Sequence, residues 1–316
     1  MQAIAIKAFG GSEQLELMDL PRPVPEPYEV LIEVRYAAVN AVDWKIREGM
    51  LQGYATHAFP LVLGWDAAGT VADMGAMVSG FNAGDQVYTS CPKPVIQHGC
   101  YAEYVAAKRD VIAPMPENLS FAEAAAIPLV ALTAWQSLFD FAGLEAGQTV
   151  LVHAGAGGVG SLAIQLAKQA GATVLTTASA ANHDYVLALG ADHAIDYRAT
   201  DFVDAVRTLR PDGVQIVLDT VGGEVQERSF KVLTSGGVLV SIVSPPDENL
   251  AHEHGLKAGL VYYQGNGAQL QKITEMLEAG TLKPPAVREM PLGEAAQALE
   301  ASKGGHVRGK IVLKVR

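Results

Sequence analysis

The sequence predicts an α/β protein in which a doubly wound parallel sheet is joined to a second, β-rich domain. Three observations predict it. Residues 149–172, TVLVHAGAGGVGSLAIQLAKQAGA, run from a short apolar strand through a glycine turn into a helix. From 173 to 263, strands alternate with helices, the pattern of a parallel sheet with right-handed crossovers. Before residue 107, many short strands are separated by turn signals, which suggests a small barrel or sandwich.

Taken in order, 2–7 alternates weakly and reads as a strand, and 15–18 as a second. Pro21, Pro23, Pro25 and Pro27 then make a rigid, extended connector. Residues 30–36 form a clear strand, and 41–48 a short helix with Asn40 as its N-cap. Further short strands fall at 61–63, 67–72, 86–89 and 102–106, set apart by Gly64, Gly69, Gly80 and Gly84-Asp85. Helices at 122–126 and 133–141 lead into the parallel-sheet domain. There, Val150, Leu151 and Val152 are the first buried strand. Leu162, Ala163, Leu166, Ala167 and Ala170 recur at helical spacing after the glycines. Strands follow at 173–177, 193–195, 214–218, 238–243 and 256–263, with helices at 182–189, 201–209 and 225–233 between them. A loop at 265–267 precedes a helix at 269–278, with Leu270, Ile273 and Leu277 on one face and Gly280 past its end. A helix at 293–302 and a strand at 310–315 (KIVLKV) end the chain. That tail is too short to be a domain and is expected to return to the N-terminal β-domain. The expected division is therefore 1–123 with 264–316, and 124–263.

Composition narrows the function. Hydrophobic residues make up 49% of the chain and charged residues 18%, enough for a large core. The net charge is −11 and no basic run occurs, which argues against nucleic acid and anionic membranes as partners. The start MQAIAIKAFG has no signal-peptide pattern, and no apolar run reaches the roughly 18 residues of a membrane span. Two cysteines, Cys91 and Cys100, cannot make a disulfide framework, so the cytoplasm is the expected location.

The run Gly155-Ala156-Gly157-Gly158-Val159-Gly160 is a G-x-G-x-x-G pattern. By itself this is a weak signal in a chain with 32 glycines, where an ordinary glycine-rich loop is the alternative. The strand before it and the helix after it point to a dinucleotide site. There glycines give a tight turn, close approach of a pyrophosphate to bare backbone, and close packing of helix on strand. The helix N-terminus adds free N–H groups and the positive dipole end. At the end of the second strand, an NAD site places an acid for the ribose 2′-OH. Residues 173–183 contain none; the stretch closes with Thr176, Thr177, Ala178, Ser179, Ala180, Ala181, Asn182 and His183. Small hydroxyls and donors suit a 2′-phosphate, so NADPH is expected over NADH, unless Asp184 close by serves as the acid.

Several ordered blocks carry a family resemblance. They are Val39-Asn40-Ala41-Val42-Asp43-Trp44-Lys45 with Arg47 and Gly49; 60–69 (PLVLGWDAAG); Gly84-Asp85-Gln86-Val87; Gly99-Cys100-Tyr101-Ala102-Glu103-Tyr104; and Thr133-Ala134. The glycine loop, Gly190-Ala191-Asp192 with Asp196-Tyr197, and 305–310 (GHVRGK) complete them. Over its full length the chain resembles the zinc-independent quinone oxidoreductase branch of the medium-chain dehydrogenase/reductase superfamily. The resemblance implies a GroES-like catalytic domain built from both chain ends, a Rossmann domain in the middle, and an active site in the cleft between them. It also implies a homodimer joined through the edge strands of two Rossmann sheets, here 256–263. Zinc alcohol dehydrogenases carry a Cys where this chain has Asn40, and a His-Glu pair where it has Trp65-Asp66. They also have a lobe of four close cysteines. No metal is expected, and Cys91, His98 and Cys100 read as loop and strand-edge residues.

The resemblance assigns roles. Gly155, Gly157, Gly158, Val159 and Gly160 would hold the pyrophosphate, and Ser179, Asn182 and Tyr197 the 2′-phosphate and adenosine end. Tyr197 is alternatively a surface aromatic. Asn40 would meet the nicotinamide ribose or a substrate oxygen, or be only a helix cap. Thr133 would contact the nicotinamide, or simply start a helix. Ile242, and Gly309 with Lys310, complete the cofactor set, although Lys310 could merely begin a strand. Hydride passes directly to substrate, so no protein nucleophile is needed. Asn40, Lys45 and Tyr54 are the catalytic candidates, the last two as donors to a developing oxyanion, with Lys45 equally readable as a solvated helix residue. Asp43 is expected to buttress Asn40, and His153 to be structural. The implied activity is NADPH-dependent reduction of quinones or α,β-unsaturated carbonyls. An enoyl-thioester reductase and a weakly catalytic NADPH-binding sensor or structural protein are the alternatives.

Overall fold

The computed structural model describes residues 1–316, which divide into two units: Met1–Leu129 with Gln264–Arg316, and Val130–Tyr263. The first junction lies at 129/130 rather than 123/124. The cause is local. The Leu129 backbone N–H donates to the Asp66 carboxylate at 2.9 Å, which ties the start of the connecting helix into the first unit.

The N-terminal part of the chain forms β1 (Gln2–Ile6), β2 (Glu16–Asp19), β3 (Glu29–Ala38), α1 (Ala41–Arg47), β4 (Thr56–Val62) and β5 (Asp66–Met74). Then come β6 (Gln86–Ser90), β7 (Val95–His98), β8 (Tyr104–Lys108), β9 (Ile112–Pro114), α2 (Phe121–Ala125) and α3 (Pro128–Trp135), which runs on as a π-helix over Gln136–Phe141. Ser120 starts α2 with a capping box: its hydroxyl accepts from Glu123 N, and the Glu123 carboxylate accepts from Ser120 N at 2.9 Å.

The middle of the chain gives β10 (Thr149–Val152), α4 (Gly158–Gln169), β11 (Thr173–Ala178), α5 (His183–Ala188), β12 (His193–Asp196), α6 (Phe202–Leu209) and β13 (Val214–Asp219). It continues through α7 (Gly223–Ser229), β14 (Leu233–Ser241), α8 (Glu248–Glu253) and β15 (Lys257–Leu260). The chain closes with α9 (Gly267–Glu278), β16 (Val287–Pro291), α10 (Ala295–Lys303) and β17 (Lys310–Lys314). Helix α9 starts at Gly267, two residues before the expected Gln269, because Asn266 caps it by accepting from Gln269 N at 3.0 Å.

In the first unit, β2, β1, β4 and β7 form one sheet in that order. A second sheet runs β16-β17-β3-β5-β6-β9, with β8 also paired to β3. β17 lies parallel to β16 and antiparallel to β3, so the C-terminal strand is an interior member of the sheet. Ile6, Ile32, Val34, Ile46, Leu61 and Tyr101 are fully buried between the elements. Each large apolar side chain there contributes about 1.5–3 kcal/mol by leaving water.

In the second unit all six strands are parallel, in the order β12-β11-β10-β13-β14-β15. β10 is buried along its whole length, as the continuous apolar run of a strand covered on both faces should be. The strand order reverses between β10 and β13, which places a switch point at their carboxyl ends. β15 is four residues long, shorter than the 256–263 expected, and stands at the sheet's edge.

Candidate active site

The predicted cofactor residues of the second unit gather at the carboxyl ends of its strands. The glycine loop follows β10, Ser179 and Asn182 follow β11, Tyr197 follows β12, and Ile242 follows β14. The three motif glycines are required for different reasons. A Cβ on Gly155 would lie 2.0 Å from Thr176 Oγ1, and one on Gly160 would lie 2.5 Å from Ala154 O. Those two are demanded by the fold. On Gly157, the N-cap of α4, a Cβ would meet only Ala154 O, at 3.3 Å, and its backbone is extended. The protein itself leaves nearly enough room for a side chain at Gly157. Gly157 stands at the α4 N-terminus, where Gly158 and Val159 are also half-exposed and where backbone N–H groups would be open to an anionic ligand. This cradle fits a dinucleotide pyrophosphate.

The Asn182 amide donates to Ser179 Oγ at 3.2 Å, so the structure brings these two together. Tyr197 is 49% exposed. Arg198, which the sequence reading passed over although it follows Tyr197 directly, holds its guanidinium 5.6 Å from that ring. Two hydroxyls in the expected 2′-phosphate stretch are already engaged. Thr176 Oγ1 donates to Val152 O at 2.7 Å, and Thr177 Oγ1 accepts from Ala154 N at 3.0 Å. Both residues are buried and shape the glycine loop rather than face a ligand.

His153 is likewise structural. Its ring nitrogens lie 3.2 Å from Thr177 Oγ1 and 3.0 Å from Ser229 Oγ, and it meets Phe202 edge to face. Burial drives its pKa from 6.5 down to about 4, so the ring is neutral. The sequence reading also missed Asp219. Fully buried at the end of β13, it accepts from Val221 N, Gly222 N, Gln226 Nε2 and Ser241 Oγ at 2.8–3.0 Å, and so fixes the turn beside Ile242. The segment Leu218-Asp219-Thr220-Val221-Gly222-Gly223 carried the signal, an acid followed by a glycine turn at a strand end. Thr133 is buried in α3.

In the first unit, α1 and the β17 strand converge on a buried polar cluster. The Asn40 amide donates to Asp66 Oδ2 at 2.9 Å. Lys310 donates to Val39 O at 2.6 Å and to Asn40 Oδ1, and its ammonium stands 4.0 Å from Asp66. Asp66 Oδ1 accepts from Leu129 N, and Ser90 adds a side-chain hydrogen bond. Asp43 accepts from Asn40 N and from the Tyr101 hydroxyl, each at 2.8 Å, so it does buttress Asn40. Its other oxygen has no partner. Burial pushes Asp66 up and Asp43 up to about 7, with Lys310 pulling both back. Burial in turn pushes Lys310 down, against the pull of the two carboxylates.

Asn40 is therefore more than a helix cap. Lys310 begins a strand and also delivers a buried cation 270 residues along the chain from Asn40. Gly309 is required by the fold: it adopts φ +67°, and a Cβ would lie 2.0 Å from Ala286 O. The donor candidates separate. Lys45 is half-buried, its ammonium 5.8 Å from the Trp44 ring, and burial lowers its pKa. Tyr54 is 84% exposed.

A glycine loop at the switch point of a parallel sheet, joined in sequence to a unit made from both chain ends, defines an NAD(P)-dependent oxidoreductase. The comparisons say which. Residues 26–117 match the family "Alcohol dehydrogenase GroES-like domain" and 189–313 match "Zinc-binding dehydrogenase". The 2-methylene-furan-3-one reductase of Solanum lycopersicum is 36% identical over 99% of this chain and 79% of its own length. The NADPH-dependent alkenal/one oxidoreductase of Arabidopsis thaliana is 34% identical over the same shares. The solved quinone oxidoreductase of Coxiella burnetii superposes with a TM-score of 0.90, at 38% identity, covering 100% of this chain and 99% of that one. This chain belongs to the quinone oxidoreductase branch of the medium-chain dehydrogenase/reductase superfamily.

The residues do not fit the zinc that one family description names. No three His, Cys, Asp or Glu side chains converge in the structure, and catalytic zinc takes three protein ligands. Asp66 is instead matched by the Lys310 ammonium. No helix is long and apolar enough to cross a membrane.

Proposed function

We propose that this protein reduces quinones or α,β-unsaturated carbonyls with NADPH, without zinc. The observation that carries the reading is the Asn40–Asp66–Lys310 cluster. It puts an amide and an ammonium-matched carboxylate at the two places, Asn40 and Asp66, where the zinc alcohol dehydrogenases carry a Cys and a His-Glu pair, and the similar reductases act on enones and quinones by name.

NADPH when bound supplies the hydride. The α4 N-terminus and Gly157 hold its pyrophosphate, and Ser179 and Asn182 donate to its 2′-phosphate. Tyr197 and Arg198 flank the adenosine end, with Arg198 adding a positive charge. Ile242 and Thr133 line the nicotinamide side. Asn40 orients the ribose or the substrate oxygen and is itself fixed by Asp66 and Lys310. Lys45 donates to the oxygen that gains charge as the carbonyl is reduced. Lys310 acts from beneath, by holding Asn40.

The reading further includes a homodimer through the free edge of β15, and a cytoplasmic location; light scattering of the purified protein tests the first. The function is tested by following NADPH oxidation with a simple quinone and a short enone. Consumption with both substrates, and little with an enoyl thioester, is the expected result. NADPH binding without turnover of any of them would overturn the proposal in favour of a nucleotide sensor.

A further inference from the structure

Cys91 and Cys100 take no part in the reaction described above. Both are free thiols, and their sulfurs lie 3.3 Å apart. A disulfide bond is about 2.05 Å long, so closure asks for a movement of little more than ~1 Å. The backbone already holds the pair in place. Cys91 N donates to Trp65 O and Cys100 N to Gly64 O, each at 2.9 Å. The Cys91 thiol also reaches Trp65 O at 3.5 Å.

The two sulfurs are not equivalent. Cys91 lines a surface pocket with Gly64, Trp65, Lys93, Ile96 and His98, whereas Cys100 is fully buried. The hydrogen bond from Cys100 holds the Cys91 thiol below its usual range, with Lys93 adding to this, while the same bond and burial push Cys100 up. That division suits an attacking thiolate and a resolving thiol.

We propose that Cys91 and Cys100 form a peroxide-sensitive dithiol whose closure to a disulfide shifts the Gly64–Trp65–Asp66 backbone and lowers turnover. Cys91 thiolate attacks one peroxide oxygen and releases hydroxide, leaving a sulfenic acid. Cys100 sulfur then attacks the Cys91 sulfur, its proton leaving with the hydroxyl as water. In total, two thiols and one hydrogen peroxide become one disulfide and two waters. A small dithiol reductant reverses the step. The disturbance has a direct route to the site, because both cysteines are bonded to the two residues that precede Asp66.

The test uses the full-length protein with hydrogen peroxide as oxidant. Intact mass should fall by two hydrogens, and a non-reducing peptide digest should show Cys91 linked to Cys100. Cys100→Ser, or Cys100→Ala should the first variant fold poorly, should trap a sulfenic acid at Cys91 that a carbon nucleophile such as dimedone labels. Quinone reduction should drop about 10-fold on oxidation and return with dithiothreitol; an ångström of misplacement at a reacting centre costs up to ~100-fold. The Cys91→Ala variant should keep its activity through the same treatment. Two thiols still titratable after peroxide would overturn the proposal, as would a label on Cys100 in the Cys91→Ala protein. A disulfide that leaves turnover unchanged would overturn its link to Asp66. Only the turnover readout rests on the proposed activity; the mass readout does not, so the failure of one reading is distinguishable from failure of the other.

Discussion

Replacing Lys310 with methionine should expose how the buried cluster is balanced. Lys310 is 5% exposed and Asp66 0%, and their charged atoms are 4.0 Å apart. At an effective dielectric near 20, two charges at that separation attract by about 4 kcal/mol. Removing one partner of a buried pair costs about 3–5 kcal/mol, because the other is left uncompensated. Lys310→Met keeps an unbranched apolar stem as long as that of lysine but deletes the ammonium, so a loss of about 3–5 kcal/mol is expected near pH 8.

The loss should also depend on pH. Burial already raises the Asp66 pKa, and Lys310 restrains it most, ahead of the hydrogen bonds from Asn40, Ser90 and Leu129. Without the ammonium the folded-state pKa rises further above that of the unfolded chain. Such a carboxyl destabilises fully above its folded pKa, and the penalty fades as pH falls through it. The variant should therefore recover much of its stability by about pH 5. Denaturant unfolding followed by tryptophan fluorescence is suited to this, since Trp44 and Trp65, two of the three tryptophans, lie in the first unit. Adding Asp66→Asn to the variant should restore stability by removing the stranded charge. A loss below about 1 kcal/mol, or one equal at both pH values, would refute the argument that Lys310 compensates Asp66.

Other perturbations separate fold from ligand. Gly157→Ala should leave thermal stability nearly unchanged while weakening NADPH binding by about 10-fold or more, whereas Gly155→Ala, which collides with Thr176, should lower stability by about 1–3 kcal/mol; equal effects on stability would refute the division. His153 has a folded pKa of about 4 against an ordinary 6.5, so its contribution is complete above 6.5 and lost as pH falls toward 4. The span amounts to about 3 kcal/mol, and a His153→Gln variant should lack that part of the pH slope. Ser179→Asp should move nucleotide preference from NADPH toward NADH in titrations of both; unchanged preference would mean Ser179 does not touch the 2′-phosphate. Lys45→Ala should lower enone turnover by roughly 10²–10⁴ and quinone turnover less, with NADPH binding intact. Full activity on both would make Lys45 a solvated helix residue.

The Rossmann half was legible because its signals are local. A glycine loop sits between a strand and a helix, and apolar runs such as Val150–Val152 need no distant partner to be recognised. What escaped was non-local or weakly patterned. β7, β9 and β16 are short, and β16 (VREMP) shows a single buried position, so neither period nor burial announces it. The role of Thr176 and Thr177 could not be read from their type, since a hydroxyl that suits a phosphate equally suits the backbone beside it: Thr176 donates to a carbonyl of β10 and Thr177 accepts from the Ala154 N–H. The Asn40–Asp66–Lys310 cluster joins three distant stretches, and only the fold shows that the ammonium reaches Asn40. The sulfur-to-sulfur contact of Cys91 and Cys100 was hidden as well, because it depends on two non-strand residues held side by side on the backbone of Trp65 and Gly64.

The interior place of β17 bears on the order in which the molecule can be made. Val130–Tyr263 is one uninterrupted stretch, so its sheet can close as soon as that stretch has left the ribosome. The first unit starts earlier and finishes later. Its larger sheet lacks an interior member, and Asp66 and Asp43 lack their cation, until Lys310 has been translated. A nascent chain thus carries two buried-to-be carboxylates without a counter-charge for most of its synthesis, and the wall around Asn40 is assembled last.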